Sequence, residues 1–398
     1  MFADEIGTAA MPAPSSSTVF EKLTKMGDVT LFEPAGDTPF HEAQTQVQRG
    51  RSTFDFADCI SHVQTPRGSK PVLKTMITSA CERNCNYCPF RAGRSKTTRV
   101  TLTPDEIAHA TVVMQQAKQI DGLFLSSGII KGGVTSQDKI IDAAEILRQK
   151  HRYTGYIHLK IMPGAEYDQL LRAMQIADRV SINLEGPTKE RLEALAPKKG
   201  FMQELLVQLQ RAHEIKQNHD RIRASIVTQF VVGAVGDTDL ELLSLSDNLY
   251  NKLGLSRTYY SAFSPVVDTP FDNLAAASKT RQHRLYQSSF LLRDYAWDVE
   301  DLPFLGDGNL RTDVDPKQAW ADIYLRQNPI DLMTADRSQL LRVPGVGIKA
   351  AEAILKARRE RRLRDLGQLS RLGIRNPQQM SPYVLLGGQR PPQQLALF

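Results

Sequence analysis

The sequence predicts an α/β fold in which parallel strands alternate with helices, followed by an all-α segment. Three observations lead to this prediction. Six short apolar runs alternate with amphipathic runs between residues 71 and 265, a cysteine-rich stretch follows the first apolar run, and a Pro-Gly-Val-Gly turn separates two helical runs near the C-terminus. Strands that alternate with helices form parallel βαβ units. Right-handed crossovers close such units into a full or partial barrel.

The apolar runs predict six strands, at residues 72–78, 122–127, 156–161, 179–184, 224–232 and 257–263. The helix after the first strand is expected to begin at Thr103-Pro104, because threonine is a good N-cap and proline is favoured at the first helical position. Further helices are expected over residues 138–150, 167–177, 202–217 and 238–252. Active sites of such barrels lie at the carboxyl ends of the strands, which is where the cysteine stretch falls.

The cysteine stretch, SACERNCNYCPFRAGR, contains Cys81, Cys85 and Cys88 in the spacing C-x3-C-x2-C. Thiolates are the usual ligands of iron–sulfur clusters, and three of them would leave one iron of a [4Fe–4S] cube open to an outside ligand. A zinc site would need a fourth Cys or His nearby, and none follows soon after Cys88. Three incidental buried thiols are the other alternative. Four basic residues that could offset the charge of a cluster are Arg83, Arg91, Arg94 and Lys96.

This stretch resembles the signature of the radical S-adenosylmethionine (SAM) enzymes, in which the open iron binds SAM. The resemblance implies a (β/α)6 partial TIM barrel, a [4Fe–4S] cluster held by the three cysteines, SAM as the second cofactor, and a reducing electron donor. The chain has Ser-Ser-Gly after the second strand, where relatives have Gly-Gly-Glu. The residues that the resemblance implies for SAM binding are Tyr87, Ser126, Ser127, Gly128, Asn183, Glu185 and Gly233.

Composition is that of an ordinary soluble globular protein, with 41% hydrophobic and 24% charged residues among 398. No apolar run approaches the roughly 20 residues that span a bilayer, and the acidic N-terminus does not look like a signal peptide. Cys59 is the one cysteine outside the motif, so we expect a small buried side chain there and no disulfide framework. An oxygen-sensitive cluster favours a reducing, cytoplasmic location.

The chain is expected to divide into six parts. They are a flexible tail (1–17), a lead-in of short helical and irregular pieces (18–70), the barrel (71–265), a connecting segment (266–327), a C-terminal module (328–386) and a second tail (387–398). The connecting segment is expected to be one long amphipathic helix followed by a turn-rich stretch. Its aromatic residues favour packing against the barrel over lining a nucleic-acid groove.

The C-terminal module resembles the helix-hairpin-helix motif, with the turn Pro-Gly-Val-Gly between a short helix and a longer one, and a second, degenerate hairpin at 365–374. Residues 331–375 carry 11 Lys and Arg against 5 Asp and Glu, which favours a polyanionic partner. Such hairpins bind the backbone of duplex DNA without base specificity. A protein–protein hairpin and a bare helical cap are the alternatives. The predicted DNA contacts are Gly345, Val346, Gly347, Lys349, Arg358 and Arg359.

The combination of a radical SAM barrel with a helix-hairpin-helix module resembles a family of radical SAM proteins assigned to DNA modification or repair. They imply an enzyme that acts on DNA through a 5′-deoxyadenosyl radical generated from SAM. Two alternatives stay open at this point. One is a radical SAM enzyme that modifies tRNA or another RNA. The other is a non-catalytic DNA-binding protein whose iron–sulfur cluster is structural or senses redox state.

Overall fold

The computed structural model describes residues 16–30, 59–65, 68–94, 97–360 and 363–391. The first 15 residues of the predicted tail, much of the predicted lead-in, Lys96 and residues 392–398 lie outside the described part. The chain divides into two compact units. The first comprises Met1–Leu184, Leu192–Thr228 and Pro265–Asn273, and the second comprises Glu185–Arg191, Gln229–Ser264 and Leu274–Phe398.

One sheet contains seven strands, and their order in the sheet is their order in the chain. They are β1 (Ile60–Thr65), β2 (Gly68–Met76), β3 (Gly122–Ser126), β4 (Tyr156–Lys160), β5 (Arg179–Ser181), β6 (Ser225–Val232) and β7 (Arg257–Ala262). The first pair is antiparallel, and each step from β2 to β6 is parallel. All six predicted strands are confirmed, and β1 is an addition at the sheet edge. The fold is α/β with the sheet order of a partial barrel.

Burial explains why these short runs form parallel strands. Every residue of β3 is buried, and so are the last five residues of β2. Leu73 of β2, Leu123 of β3 and Leu159 of β4 are fully buried. Strands covered on both faces read as nearly continuous apolar runs. The apolar runs therefore predicted these strands even though their sequences lack the alternation of apolar and polar residues that is typical of a half-exposed strand.

Helices connect the strands of this sheet. They are α1 (Ser16–Thr30), α2 (Pro104–Gln116), α3 (Gly132–Glu145), α4 (Tyr167–Ile176), α5 (Lys189–Leu195), α6 (Val207–Asn218) and α7 (Asp239–Leu253). The predicted start of α2 is confirmed, because the Thr103 side chain accepts from the Glu106 backbone in a capping box. Helix α5 was not predicted. Among the described helices, none has the length and hydropathy needed to cross a membrane.

The second unit continues with α8 (Lys279–Tyr295), α9 (Pro316–Tyr324), α10 (Arg337–Arg342), α11 (Ile348–Glu360) and α12 (Leu366–Arg371). The long helix of the connecting segment is confirmed, although it is shorter than expected. The stretch predicted to be turn-rich contains α9, which begins at the N-cap Asp315 and Pro316. Two-residue strands β8 (Ile330–Asp331) and β9 (Val384–Leu385) pair in parallel.

The last three helices pack on a core of their own. This core includes Leu340, Leu341, Ile354 and Leu369, all at most 1% exposed, and it also takes in Ala321 of α9. The core of the C-terminal module therefore includes part of α9, which lies before the predicted start of the module at residue 328. Asp331 closes the module, because its carboxylate accepts hydrogen bonds from the backbone N–H groups of Met333, Gly387 and Gly388 at 2.7 to 3.0 Å.

Several aromatic residues of the connecting segment pack inside the second unit, and one of them, Tyr286, contacts the barrel strand β7 as the sequence predicted. Trp297 is 2% exposed, and its ring lies 5.3 Å from that of Trp320. The guanidinium of Arg342 lies over both rings, at 4.3 and 5.0 Å, and donates to Asp301 at 2.6 Å. Tyr286 likewise accepts a hydrogen bond from the backbone of Tyr260 on β7. These aromatics serve packing rather than stacking on bases.

Candidate active site and nucleic-acid interface

The cysteine loop is closed at its base by backbone hydrogen bonds. Thr78 and Thr101 form an antiparallel bridge, and the Ser79 N–H donates to the Val100 carbonyl at 2.9 Å. The loop between them is therefore held at both ends where β2 finishes. This places the three cysteines at the carboxyl end of a sheet strand, where the sequence predicted them.

Arg99 braces the loop from within. Its guanidinium donates to the carbonyl oxygens of Ser79, Phe90 and Arg91 at 2.6 to 3.0 Å. A planar guanidinium with five N–H donors suits several acceptors held at fixed positions. Sequence reasoning missed Arg99, since it lies eleven residues beyond Cys88 and looks like any loop arginine.

The thiols of Cys81, Cys85 and Cys88 lie near one another within this loop. Cys85 is buried, and Cys81 and Cys88 are half-buried. Burial, then the nearby thiols of Cys85 and Cys81, raise the pKa of the Cys88 thiol. Among the described residues, no group of three or more His, Cys, Asp or Glu is arranged around a single metal ion.

Backbone N–H groups already point at two of the sulfurs. The Ile129 N–H donates to Sγ of Cys81, and the Phe90 N–H donates to Sγ of Cys88, both at 3.4 Å. Hydrogen bonds to the sulfurs are one of the ways in which a protein tunes an iron–sulfur cluster. The donor set and its surroundings therefore fit a [4Fe–4S] cluster.

The basic residues near the cysteines are largely engaged inside the protein. Arg83 forms a salt bridge with Glu204 at 2.8 Å, and Arg91 donates to the Asn84 carbonyl. Arg94 donates to the Pro89 carbonyl and lies 3.8 Å from Asp268. These side chains thus stabilise the loop conformation as well as contributing positive charge.

The end of β3 lies against the cysteine loop. The Gly128 N–H donates to the Thr78 carbonyl at 2.7 Å. Only glycine fits there, since a side chain at Gly128 would press on the Ala80 carbonyl. Ser127 donates to the Gly128 carbonyl, whereas the buried hydroxyl of Ser126 has no hydrogen-bond partner among the described residues. A buried polar atom without a partner is costly, so this hydroxyl is a fitting contact for a bound cofactor.

Tyr87 and Asn183, two further residues predicted to contact SAM, also belong to the first unit. Tyr87 is half-buried between the second and third cysteines, and Asn183, just after β5, is 7% exposed. Next to Tyr87, Asn86 anchors the loop, because its backbone N–H donates to the Leu195 carbonyl at 2.7 Å. The loop that carries Tyr87 is therefore fixed on the body of its unit.

Glu185 and Gly233 belong to the second unit. Glu185 is 3% exposed and has a positive φ of 64°, an uncommon conformation for a residue with a side chain. Its backbone is held by Gln229 and Val231 at 2.9 and 2.8 Å. Gly233 also has a positive φ, 87°, and its N–H donates to both carboxylate oxygens of Asp237 at 3.0 Å. A residue other than glycine that is held at positive φ, as Glu185 is, is strained, and such strain clusters at functional sites.

His158 and Lys160 are both polar residues of β4, and they occupy different positions on the strand. His158 lies in the middle of β4, is 2% exposed and packs edge-on against Phe124 at 4.6 Å. Burial, followed by the positive charges of Arg179 and Lys160, lowers the pKa of His158 well below its usual value. The imidazole is therefore neutral, and only Lys160 stands at the strand end.

The Pro-Gly-Val-Gly turn joins α10 and α11. Gly345 has a φ of 82° and is exposed, whereas Val346 is 1% exposed and packs into the module core. The φ of Gly345 disfavours any other residue. Behind the turn lies Lys317, which was not predicted: its ammonium is 2.6 Å from the Val346 carbonyl oxygen.

The cations of α11 fall into two groups. Lys349, Lys356 and Arg359 are exposed. Arg358 is half-buried, and its guanidinium donates to the carbonyls of Leu332 and Ala335 at 3.1 and 2.6 Å. The structure therefore gives Arg358 a role inside the module, while Lys349 and Arg359 face solvent.

Comparison with known proteins identifies part of the chain. Residues 75–247 match the family model described as the radical SAM superfamily. Comparison with curated proteins gave no match. Among solved structures, the FeFe-hydrogenase maturase HydG from Carboxydothermus hydrogenoformans has 17% identity, a TM-score of 0.45, and coverage of 56% of this chain and 51% of that one. Methylornithine synthase has 16% identity, a TM-score of 0.45, and coverage of 56% and 61%.

A third structure, anSMEcpe with bound AdoMet, has 12% identity, a TM-score of 0.38, and coverage of 56% of this chain and 58% of that one. The chain spans about half to three-fifths of the length of these three proteins. The family match covers β3 to β6 and the cysteine loop, so it falls on the region where the sequence predicted this chemistry. Residues 75–247 therefore form a radical SAM superfamily domain, whose cofactors are a [4Fe–4S] cluster and SAM.

Proposed function

We propose that this enzyme modifies or repairs DNA, and that its C-terminal module is a helix-hairpin-helix domain that binds duplex DNA. The observation that carries the proposal is the turn at Gly345, exposed and glycine-rich, which leads directly into the basic helix α11. The cofactors, when bound, supply a 5′-deoxyadenosyl radical that abstracts hydrogen from a base or sugar carbon. A base in a duplex would have to leave the stack to be reached. The match of residues 75–247 to the radical SAM superfamily supports a catalytic protein over the non-catalytic alternative.

In this proposal Cys81, Cys85 and Cys88 hold the cluster. Arg99 keeps the three sulfurs in position by bracing the loop. Ser126, Ser127 and Gly128 at the end of β3 would line the amino-acid part of SAM, and the partnerless Ser126 hydroxyl supports that placement. Tyr87 would lie by the adenine, Asn183 and Glu185 would bind the ribose, and Gly233 would shape the adenine turn.

Glu185→Gln is expected to weaken SAM binding without loss of iron. The substitution keeps the shape of the side chain but removes its charge, and hydrogen bonds to charged groups contribute about 1.5–3 kcal/mol. Binding should therefore weaken by roughly ten- to hundredfold. Equilibrium dialysis of SAM against the iron-loaded protein measures this. Unchanged SAM affinity and cleavage would move the ribose contact to another residue.

The hairpin is suited to bind a phosphate. The first N–H groups of a helix have no partner inside the helix, and they carry the positive end of its dipole. At the start of α11 these groups stand beside exposed Lys349. Among the described residues of α11, Lys356 and Arg359 are two further exposed cations, about two and three turns beyond Lys349. Contacts of this kind position a duplex without reading its sequence.

The proposal is tested by mass spectrometry of nucleosides from cells with and without this protein. We expect the amount of one DNA nucleoside to differ between these cells. Restoring the intact gene should return it to its original amount, whereas restoring a gene that carries Cys85→Ala should not. DNA and RNA from the same cells are digested in parallel. A change confined to RNA nucleosides would support the RNA-modifying alternative and contradict this proposal. A cytoplasmic location follows from the proposal, because the cluster needs a reducing environment.

A further inference from the structure

Lys317 is buried directly behind the Pro-Gly-Val-Gly turn. It lies in the first turn of α9, is 8% exposed, and its ammonium donates to the Val346 carbonyl oxygen at 2.6 Å. The same ammonium lies 4.9 Å from the centre of the Tyr295 ring on α8. A side chain added at Gly347 would come within 3.3 Å of the Tyr295 hydroxyl. Lys317 and Tyr295 together therefore support the inner side of the turn.

The charge of Lys317 is costly where it stands. Asp315, the carboxylate that opposes this cost, is committed to capping α9, because it accepts from the backbone N–H groups of Lys317 and Gln318 at 2.9 and 3.2 Å. The N-terminal end of a helix is also unfavourable for a cation. Burial, opposed by Asp315, lowers the pKa of Lys317 to about 7. A buried cation whose charge is not fully compensated by neighbouring carboxylates is typical of a functional site.

The geometry links this cation to the outer side of the turn through one peptide group. In a trans peptide the carbonyl and the N–H point in opposite directions. Because the Val346 carbonyl points inward to Lys317, the N–H of Gly347 points outward. An ammonium on the carbonyl polarises the peptide and strengthens the N–H as a donor, as in chains of hydrogen bonds that reinforce one another.

We propose that protonated Lys317 is a positioning residue of the phosphate site: through the Val346–Gly347 peptide it makes the hairpin a better anion receptor, so duplex DNA binding takes up a proton at this lysine. This inference rests on the proposed function, since the anion is a phosphate of bound DNA. Both the direct attraction between ammonium and phosphate and the polarised N–H favour the protonated form in the complex.

The surroundings of Lys317 make its titration recognisable. The groups that face it are Asp315 on its own helix and Tyr295 on α8, whose pKa is raised by burial and by Asp294 and Asp315. The turn from Val343 to Gly347 contributes no ionisable side chain, and residues 284–398 contain no His and no Cys. Affinity should be full below the pKa of free Lys317, about 7, and decline as the pH rises through it, at most about tenfold per pH unit for one proton.

The test measures binding of the full-length, cluster-loaded protein to a fluorescein-labelled duplex by anisotropy, from about pH 6 to about pH 9 at constant ionic strength. The wild type should bind constantly up to neutrality and then progressively more weakly. Lys317→Met, which keeps the side-chain length, should bind about tenfold or more weakly at low pH and show no such decline. Lys317→Arg, which stays charged, should bind with a flat profile up to high pH.

Lys349→Met is the matched control, because it removes one exposed charge from the same module. It should lower affinity across the pH range and keep the decline above neutrality. Thermal unfolding of each variant checks that it is folded; should Lys317→Met fail to fold, the wild-type and Lys317→Arg profiles decide. Wild-type binding that does not change with pH, or a Lys317→Met profile equal to the wild type, overturns the inference alone. No duplex binding by the wild type at any pH overturns the proposed function with it.

Discussion

Replacing Cys81, Cys85 or Cys88 with alanine is expected to abolish SAM cleavage. Each thiolate would bind a different iron, so each substitution would remove one of the three protein ligands of the cluster. The variants should therefore retain little iron and sulfide after anaerobic reconstitution, whereas the wild type should hold a [4Fe–4S] cluster. Iron and sulfide assays, the visible spectrum and the yield of 5′-deoxyadenosine measure the loss.

Cys59→Ala is the control for this experiment. Cys59 is fully buried and its thiol donates to the Leu23 carbonyl at 3.1 Å, so it behaves as the small buried side chain that the sequence predicted. This variant should keep its iron and its activity and lose only some stability. If Cys59→Ala lost iron as completely as the other three, the assignment of three ligands would be wrong.

Gly347→Val is expected to weaken duplex DNA binding by roughly tenfold or more while SAM cleavage without DNA continues. A side chain at this position would crowd the Tyr295 hydroxyl, and its branches would keep a phosphate from the Gly347 N–H. Fluorescence anisotropy with labelled duplexes of several sequences measures the effect. The loss should be similar for all of them, since backbone contacts carry no base specificity.

Gly306→Val is matched to this variant, because it makes the same change in the same unit at a position where a side chain would meet nothing within 4 Å. It should bind duplex DNA as the wild type does. Equal binding by Gly347→Val and the wild type would mean that the hairpin does not hold the phosphate, and the module would then be better interpreted as a protein-binding surface.

Most of the sheet could be predicted because its strands are buried on both faces and are read directly from apolar runs. Strand β1 could not, since its sequence ISHVQT lies between polar stretches and pairs with β2 through a two-residue connection. Helix α9 was missed for a similar reason. Its N-cap Asp315 and Pro316 were present, but they stand in a stretch dense in Gly, Asp and Pro, which predicts turns.

The residues of the site likewise fall into those that a local sequence pattern predicts and those whose roles depend on tertiary contacts. Ligand spacing is local, so the three cysteines and the Gly345 turn could be found in the sequence. Arg99 and Lys317 could not, because their roles depend on carbonyl groups that tertiary folding brings to them. The conformation of Glu185 was equally hidden, since nothing in a glutamate predicts a positive φ. Arg358 shows the reverse case, in which a basic helix pattern predicted a surface contact for a side chain that the fold uses internally.

The pairing of β8 with β9 has a consequence for how the module folds. Ile330 pairs with Val384, so this contact joins two strands of two residues each across the whole stretch of chain that contains α10, α11 and α12. The entropy of closing so long a loop must be met before the contacts are gained, and contacts of large sequence separation slow folding. The helices around the hairpin are therefore expected to form early. The pairing of β8 with β9 and the hydrogen bonds to Asp331 are expected to form last, and they make unfolding of the module cooperative.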